Sequence, residues 1–240
     1  MRRVAGLGTC LVLLALLACK DKQEPPPATT PAAAPGPGTT GAAAVGGTYT
    51  ISSASNPGGE GGYEGSVAIT QSGAVYKLTW SISDGSQYKG VGLMEGNVLG
   101  VGWGMAAEFG VAVYKVEGGK LTGRWTTAAD SGAGTETLDG PAGLNGSYKI
   151  TAGTNASDGK PYTGDVTIKP NGATYSVTWK LTDRTFSGVG MLDGSTFVVG
   201  WGEAGKGAGA VLYHVSGSKL DGKWAQPAGS ALGTEVLSKK

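Results

Sequence analysis

Residues 120–126 read KLTGRWT and residues 219–225 read KLDGKWA, and the likeness extends across most of the chain. With Tyr49 set on Tyr148, Tyr63 falls on Tyr162, Tyr76 on Tyr175, Trp80 on Trp179, Trp103 on Trp201, Tyr114 on Tyr213 and Trp125 on Trp224. Gly134-Thr135-Glu136 falls on Gly233-Thr234-Glu235. The offset is 98 or 99 throughout and changes only after Asp84/Asp183 and after Trp103/Trp201, both turn positions. All 6 tryptophans are paired in this way. The body is a tandem duplication, 46–139 and 145–240, joined by the short segment GPAGL. Whatever one copy folds into, the other must also be able to form.

Each copy is patterned for strands. VYKLTWSI places Tyr76, Leu78, Trp80 and Ile82 on one face, and TYSVTWKL repeats the alternation with Tyr175, Val177, Trp179 and Leu181. Turn signals such as QSGA, SDGS, MEGN and VEGGK recur about every ten to twelve residues. They predict eight strands in the first copy, near 47–54, 63–71, 74–83, 87–95, 97–104, 110–117, 120–127 and 134–139, and eight more in the second. No helical period appears beyond the first eighteen residues.

Eight consecutive strands with tight turns form an antiparallel meander, and closing it removes two exposed edges. Two copies are too few for a solenoid. The fold class expected is therefore all-β, with two tandem eight-stranded up-and-down barrels at 46–140 and 141–240. The alternatives are a sandwich per repeat or one larger barrel shared by both. Glycines within strands, among them Gly90, Gly92, Gly100, Gly102 and Gly104, mark bends or places where an indole lies over bare backbone. The Gly-x-Trp strands in a small meander resemble avidin and lipocalin-like barrels, although no ligand-binding motif of either is matched residue by residue.

The N-terminal segment points to location. Arg2 and Arg3 precede an apolar run from Val4 to Ala18, too short for a membrane span and patterned as a secretory signal peptide. Leu16-Leu17-Ala18-Cys19 resembles the lipobox of bacterial lipoproteins. That resemblance implies cleavage after residue 18, acylation of Cys19 (palmitate or a similar chain) and a membrane partner through the lipid. Of 2 cysteines, Cys10 lies in the discarded run, so Cys19 has no disulfide partner, which fits a lipidated sulfur. Lys20 in place of Asp implies, by the same resemblance, the outer membrane of the cell envelope. Residues 19–45 form a Pro/Ala/Thr/Gly-rich tether, a coil that reaches roughly 30 Å. Cleavage leaves 17 basic against 18 acidic residues, a near-neutral chain with no footprint for nucleic acid.

Few residues carry chemistry. The single histidine, His214, alternates with Tyr213 and Val215 and is expected on the surface, uninvolved. With one His and no structural Cys, a zinc site or a Ser-His-Asp triad is hard to build; carboxylates alone could hold a metal, but no EF-hand spacing appears, and no cofactor or metal is expected. The duplicated Glu136 and Glu235 follow GRW and GKW by one strand and are expected to pair with Arg124 or Lys223; the alternative, a catalytic carboxylate, would need a second one facing it across a cleft, and none can be paired from the sequence. Leu121, Gly123 and Trp125, like Leu220, Gly222 and Trp224, share an inward face. The aromatic set Tyr76, Trp80, Trp103, Trp125, Tyr175, Trp179, Trp201 and Trp224 is expected to fill the barrels, or else to line a ligand pocket. Opposite charge on the two repeats, −4 over 46–140 and +3 over 145–240, is expected to favour docking between them. The function expected is a non-enzymatic structural or protein-interaction role in the envelope, with an unknown envelope protein as partner. Small-ligand or glycan binding in the barrels is the alternative, and an envelope enzyme or enzyme inhibitor the third reading.

Overall fold

Period-two patterning and turn glycines yield strands within two residues of the expected positions. The computed structural model describes residues 45–59 and 61–240; the signal peptide, Cys19 and all of the tether but Val45 lie outside the described residues. In the first copy the strands are β1 (Gly47–Ser55), β2 (Gly65–Ser72), β3 (Val75–Ile82), β4 (Gln87–Glu95), β5 (Val98–Gly104), β6 (Phe109–Glu117), β7 (Lys120–Thr127) and β8 (Gly134–Asp139). In the second they are β9 (Gly146–Thr154), β10 (Pro161–Asn171), β11 (Thr174–Lys180), β12 (Thr185–Asp193), β13 (Thr196–Glu203), β14 (Gly209–Ser216), β15 (Lys219–Ala225) and β16 (Gly233–Lys239). Hairpin tips place Gly73, Gly96 and Gly118 at φ between 54° and 61°, the left-handed region that tight turns demand.

The described body is all-β and consists of two closed eight-stranded antiparallel barrels. This excludes both the sandwich and the single shared barrel. The barrels do not follow the repeat boundary, which corrects the expected division at 140/141. One barrel is the continuous meander β6 to β13, closed by β13 on β6. The other is split, with β1–β5 closed by β14–β16 through β5 on β14 and β1 on β16. Each therefore takes five strands from one copy and three from the other. We call them the inserted and the split barrel. The physical reason is the duplication itself. A sixth strand from either copy offers the same residues to a fifth strand, so the pairing rules that close a repeat on itself are met equally well by exchange.

The crossovers are built on backbone contact. A Cβ at Gly102 would overlap the carbonyl of Gly110, and one at Gly200 would overlap that of Gly209. Around these crossings lies a core between the barrels, separate from their interiors: Val91, Leu93, Val98, Val111, Val113, Val189, Met191, Val198 and Leu212 among others. Strands β5, β6, β13 and β14 are consequently buried on both faces over most of their length. That is why VLGVGW, FGVAVY, FVVGW and GAVLY read as nearly unbroken apolar runs. Equivalent hairpin tips dock in parallel fashion, Ala74 N–H donating to Ser131 O at 3.0 Å and Ala173 N–H to Ser230 O at 2.8 Å.

Exchange also mixes the charge. The split barrel, 47–104 and 209–240, carries six basic and six acidic residues, and 105–208 carries nine and ten. The opposite charge of the repeats therefore does not become opposite charge on the barrels, and the apolar core takes the docking role assigned to it. His214 also differs from expectation: its Nε2 lies 2.9 Å from Asp193 Oδ2, so it bridges the two barrels.

Candidate functional site

Each barrel is packed at one end and open at the other. At the packed end of the split barrel, Tyr49, Ile69, Leu78, Leu99, Leu220 and Leu237 are buried together. Tyr49 closes this end by donating to Val45 O at 2.7 Å, as Tyr148 does to Gly143 O at 2.6 Å in the inserted barrel. Tyr76 belongs to this packed core, and Tyr175 stands edge-on to Phe197 at 5.6 Å in the other. Neither lines an opening.

At the open ends lie cavities of about 310 Å³ in the split barrel and about 630 Å³ in the inserted one. Trp80, Trp103 and Trp224 line the first, Trp125, Trp179 and Trp201 the second. The interiors are thus neither wholly filled nor hollow, and all six indoles stand at the openings. Tight strand glycines make room for them. A Cβ at Gly90 would sit 2.7 Å from the Trp80 ring, one at Gly134 2.8 Å from Trp125 Nε1, and one at Gly110 2.5 Å from Trp201. The equivalent Gly209 and Gly233 are overlain by Trp103 and Trp224.

Below the indoles sits a carboxylate that sequence reasoning placed wrongly. Glu136 and Glu235 are each 2% exposed, inside the barrels. Arg124 instead reaches across to the split barrel, donating to Met94 O at 2.5 Å and lying 3.5 Å from Glu95. Register gives the reason. Arg124 and Lys223 pair with Thr135 and Thr234, one residue away from each glutamate, and so take the opposite face. The signal was present: Glu136 shares parity with Leu138, and Glu235 with Leu237.

Glu235 accepts hydrogen bonds from Tyr63 Oη at 2.9 Å, Trp80 Nε1 at 3.1 Å and Tyr213 Oη. Glu136 accepts from Tyr114 Oη at 2.5 Å, Tyr162 Oη at 2.8 Å and Trp179 Nε1 at 3.2 Å. Gly123 and Gly222, opposite the glutamates in register, leave the space that the rings of Tyr114 and Tyr213 occupy. Every cage is completed by both copies: Glu235 and Tyr213 come from the second, Tyr63 and Trp80 from the first. Burial pushes both carboxyls above their ordinary range, against the pull of the Tyr and Trp donors. Burial, and then the adjoining carboxylate, push all four tyrosine hydroxyls up, so they stay protonated donors.

The rings around each opening meet edge to face. Tyr63 and Trp224 are 6.0 Å apart at 78°, Tyr88 and Trp103 5.6 Å at 81°, and Trp103 and Trp224 6.3 Å at 67°. In the inserted barrel the same ring holds Tyr162, Trp125, Trp201 and Phe186, with centroids 5.2 to 6.0 Å apart. One difference concerns a polar atom: Trp224 Nε1 donates to Ser55 O at 3.2 Å, whereas Trp125 Nε1 is buried with no partner. Among the described residues no group of three or more His, Cys, Asp or Glu could hold a metal ion. No family model, curated protein or solved structure matches the chain, so its functional reading rests on this geometry.

Proposed function

We propose that this chain is a lipid-anchored envelope protein that binds small ligands at the open mouths of its two barrels and does not transform them. One observation carries the reading. Both barrels keep an open, aromatic-walled cavity above a buried, hydrogen-bonded carboxylate, although a packed mouth would be the more stable use of the same rings. The volumes fall in the range of about 300–1,000 Å³ common to small-molecule sites, and the mix of aromatic wall and few polar groups is characteristic of them. Binding rather than turnover is supported by the engagement of Glu136 and Glu235, each held by three Tyr and Trp donors as a fixed acceptor; the other lining carboxylates, Asp84 in one mouth and Glu108, Asp130 and Asp183 in the other, are joined by no His, Cys or Lys in either lining. The anchor is supported by Leu16–Cys19 and the tether, from sequence alone. Together they hold a ligand-binding body clear of a membrane surface.

The test is a screen of small-molecule mixtures against the mature protein, followed by the indole N–H resonances of isotopically labelled Trp. Binders are expected to shift Trp103 and Trp224 or Trp125 and Trp201. Trp224→Phe is expected to weaken binding in the split barrel, and Tyr76→Phe to leave it unchanged. A screen with no binder at either mouth would overturn the proposal and return the protein to a structural or protein-interaction role.

A further inference from the structure

One difference between the two mouths indicates what they hold. In the inserted barrel Arg184 lies over the face of Phe186, its Cζ 4.7 Å from the ring centroid, and pairs with Glu108 at 2.5 Å. Phe186 is the counterpart of Tyr88, and it stands edge-on to Trp201 as Tyr88 does to Trp103. The chain thus sets a cation of its own against the aromatic ring of one mouth. In the split barrel the corresponding turn, Asp84–Gln87, reads DGSQ and supplies no cation. Its ring of Tyr63, Tyr88, Trp103 and Trp224 is otherwise the same.

Charge in the split mouth is of one sign. Asp84 and Glu235 line it, and no Lys, Arg or His does. Ser86 N–H donates to Asp84 Oδ1 at 2.8 Å and holds that carboxyl below its ordinary range. Glu235 Oε2 accepts a single bond, from Tyr63, and so keeps an acceptor direction unused. A carboxylate or phosphate ligand would meet two acids and no counter-charge. A sugar ring needs a flat platform, whereas these rings meet at 67° to 81° and wall in a space. An aromatic wall of this kind can close around a compact organic cation, which aromatic rings attract.

We infer that the mouth of the split barrel is a cage for an organic cation of the quaternary ammonium or guanidinium class, and that Arg184, lying over Phe186 at the mouth of the inserted barrel, sets a like charge against such a cation there. The inference rests on the mouths being ligand sites and names the ligand class for one of them.

The test uses three matched probes on the mature protein: choline, its neutral carbon isostere 3,3-dimethyl-1-butanol, and the anion 3,3-dimethylbutanoate. Binding is read by calorimetry and by the indole resonances. Choline is expected to bind once, at Trp103 and Trp224, about tenfold or more tighter than the neutral isostere, and the anion not to bind. Trp103→Phe and Trp224→Phe are expected to weaken choline severalfold, and Arg184→Ala to raise the stoichiometry from one to two. If the neutral isostere matches choline at these indoles, the cation class is wrong and the mouth remains a ligand site. If no probe shifts them while the broader screen places other ligands there, the same conclusion follows. If the screen is blank as well, both readings fall. Two choline sites in the unaltered protein would overturn the role given to Arg184.

Discussion

Replacing Glu235 by leucine removes the acceptor shared by Tyr63, Trp80 and Tyr213. Tyr63 lines the cavity, where water can take the place of the carboxylate. Tyr213 is fully buried and Trp80 nearly so, and their donors have nowhere else to turn. An orphaned buried donor costs about 1–3 kcal/mol, so two predict a loss of about 2–6 kcal/mol. Against a total of about 5–15 kcal/mol that is a large effect. A glutamate in an exposed ion pair would give about 0–1 kcal/mol instead. The assay is urea unfolding followed by far-UV circular dichroism, since the Trp signal responds to the cage itself. A second substitution sharpens it: adding Tyr213→Phe to Glu235→Leu removes one orphan and should recover about 1–3 kcal/mol. A Glu235→Leu variant within about 0.5 kcal/mol of the unaltered protein, or a double variant less stable than the single, would refute the cage as the reason for the buried carboxylate.

Three further outcomes are expected. Both cage carboxyls titrate above their ordinary value of about 4.3, so the folded state keeps protons the unfolded chain has released; this contribution is full below about pH 4.3 and is lost as pH rises through the folded value. The advantage of the unaltered protein over a Glu136→Gln, Glu235→Gln double variant should therefore narrow as pH rises above the ordinary carboxyl range of about 4.3, and a constant gap would contradict the shift. Gly102→Ala drives a methyl into the Gly110 carbonyl at the crossover and should cost about 1–3 kcal/mol or more, whereas Gly143→Ala meets nothing within 4 Å and should be near neutral; thermal melts compare them. Cys19→Ser should leave the chain unprocessed or release it from the membrane fraction, and a variant that matures and fractionates as before refutes the anchor.

Much of the architecture is legible in the residues. Alternation in VYKLTWSI and glycine-marked turns place the strands, because strand faces and hairpins are local properties. Part of the meeting of glycine and indole is legible for the same reason, since Gly90–Trp80 and Gly134–Trp125 join consecutive strands, whereas Gly110–Trp201 and Gly209–Trp103 meet across the exchanged pairs. Two features escape a local reading. The exchange of β6–β8 with β14–β16 does so because duplicated strands offer identical registers, and only the unbroken apolar runs of β5, β6, β13 and β14 hint at a second buried face. The orientation of Glu136 and Glu235 was available from parity with Leu138 and Leu237. A salt bridge to the nearest cation is the wrong inference because register, not proximity in sequence, decides which side chains meet. The openness of the mouths depends on how six indoles settle across a closed barrel, a property of the whole ring.

The central claim is that each carboxylate cage is completed by strands of both copies, and engineered cysteine pairs test it most directly. Ser55 and Thr234 share a hydrogen bond of 2.8 Å across β1 and β16, and the equivalent Thr135 and Thr154 share one of 2.9 Å across β8 and β9. Were each repeat closed on itself, Ser55 would instead face Thr135, and Thr154 would face Thr234. Four double-cysteine variants of the full chain, oxidised mildly and mapped by peptide mass spectrometry, distinguish the two arrangements. Exchange of strands gives rapid intramolecular bridging of 55 with 234 and of 135 with 154, and none of 55 with 135 or 154 with 234; the reverse pattern would show each repeat closed on itself.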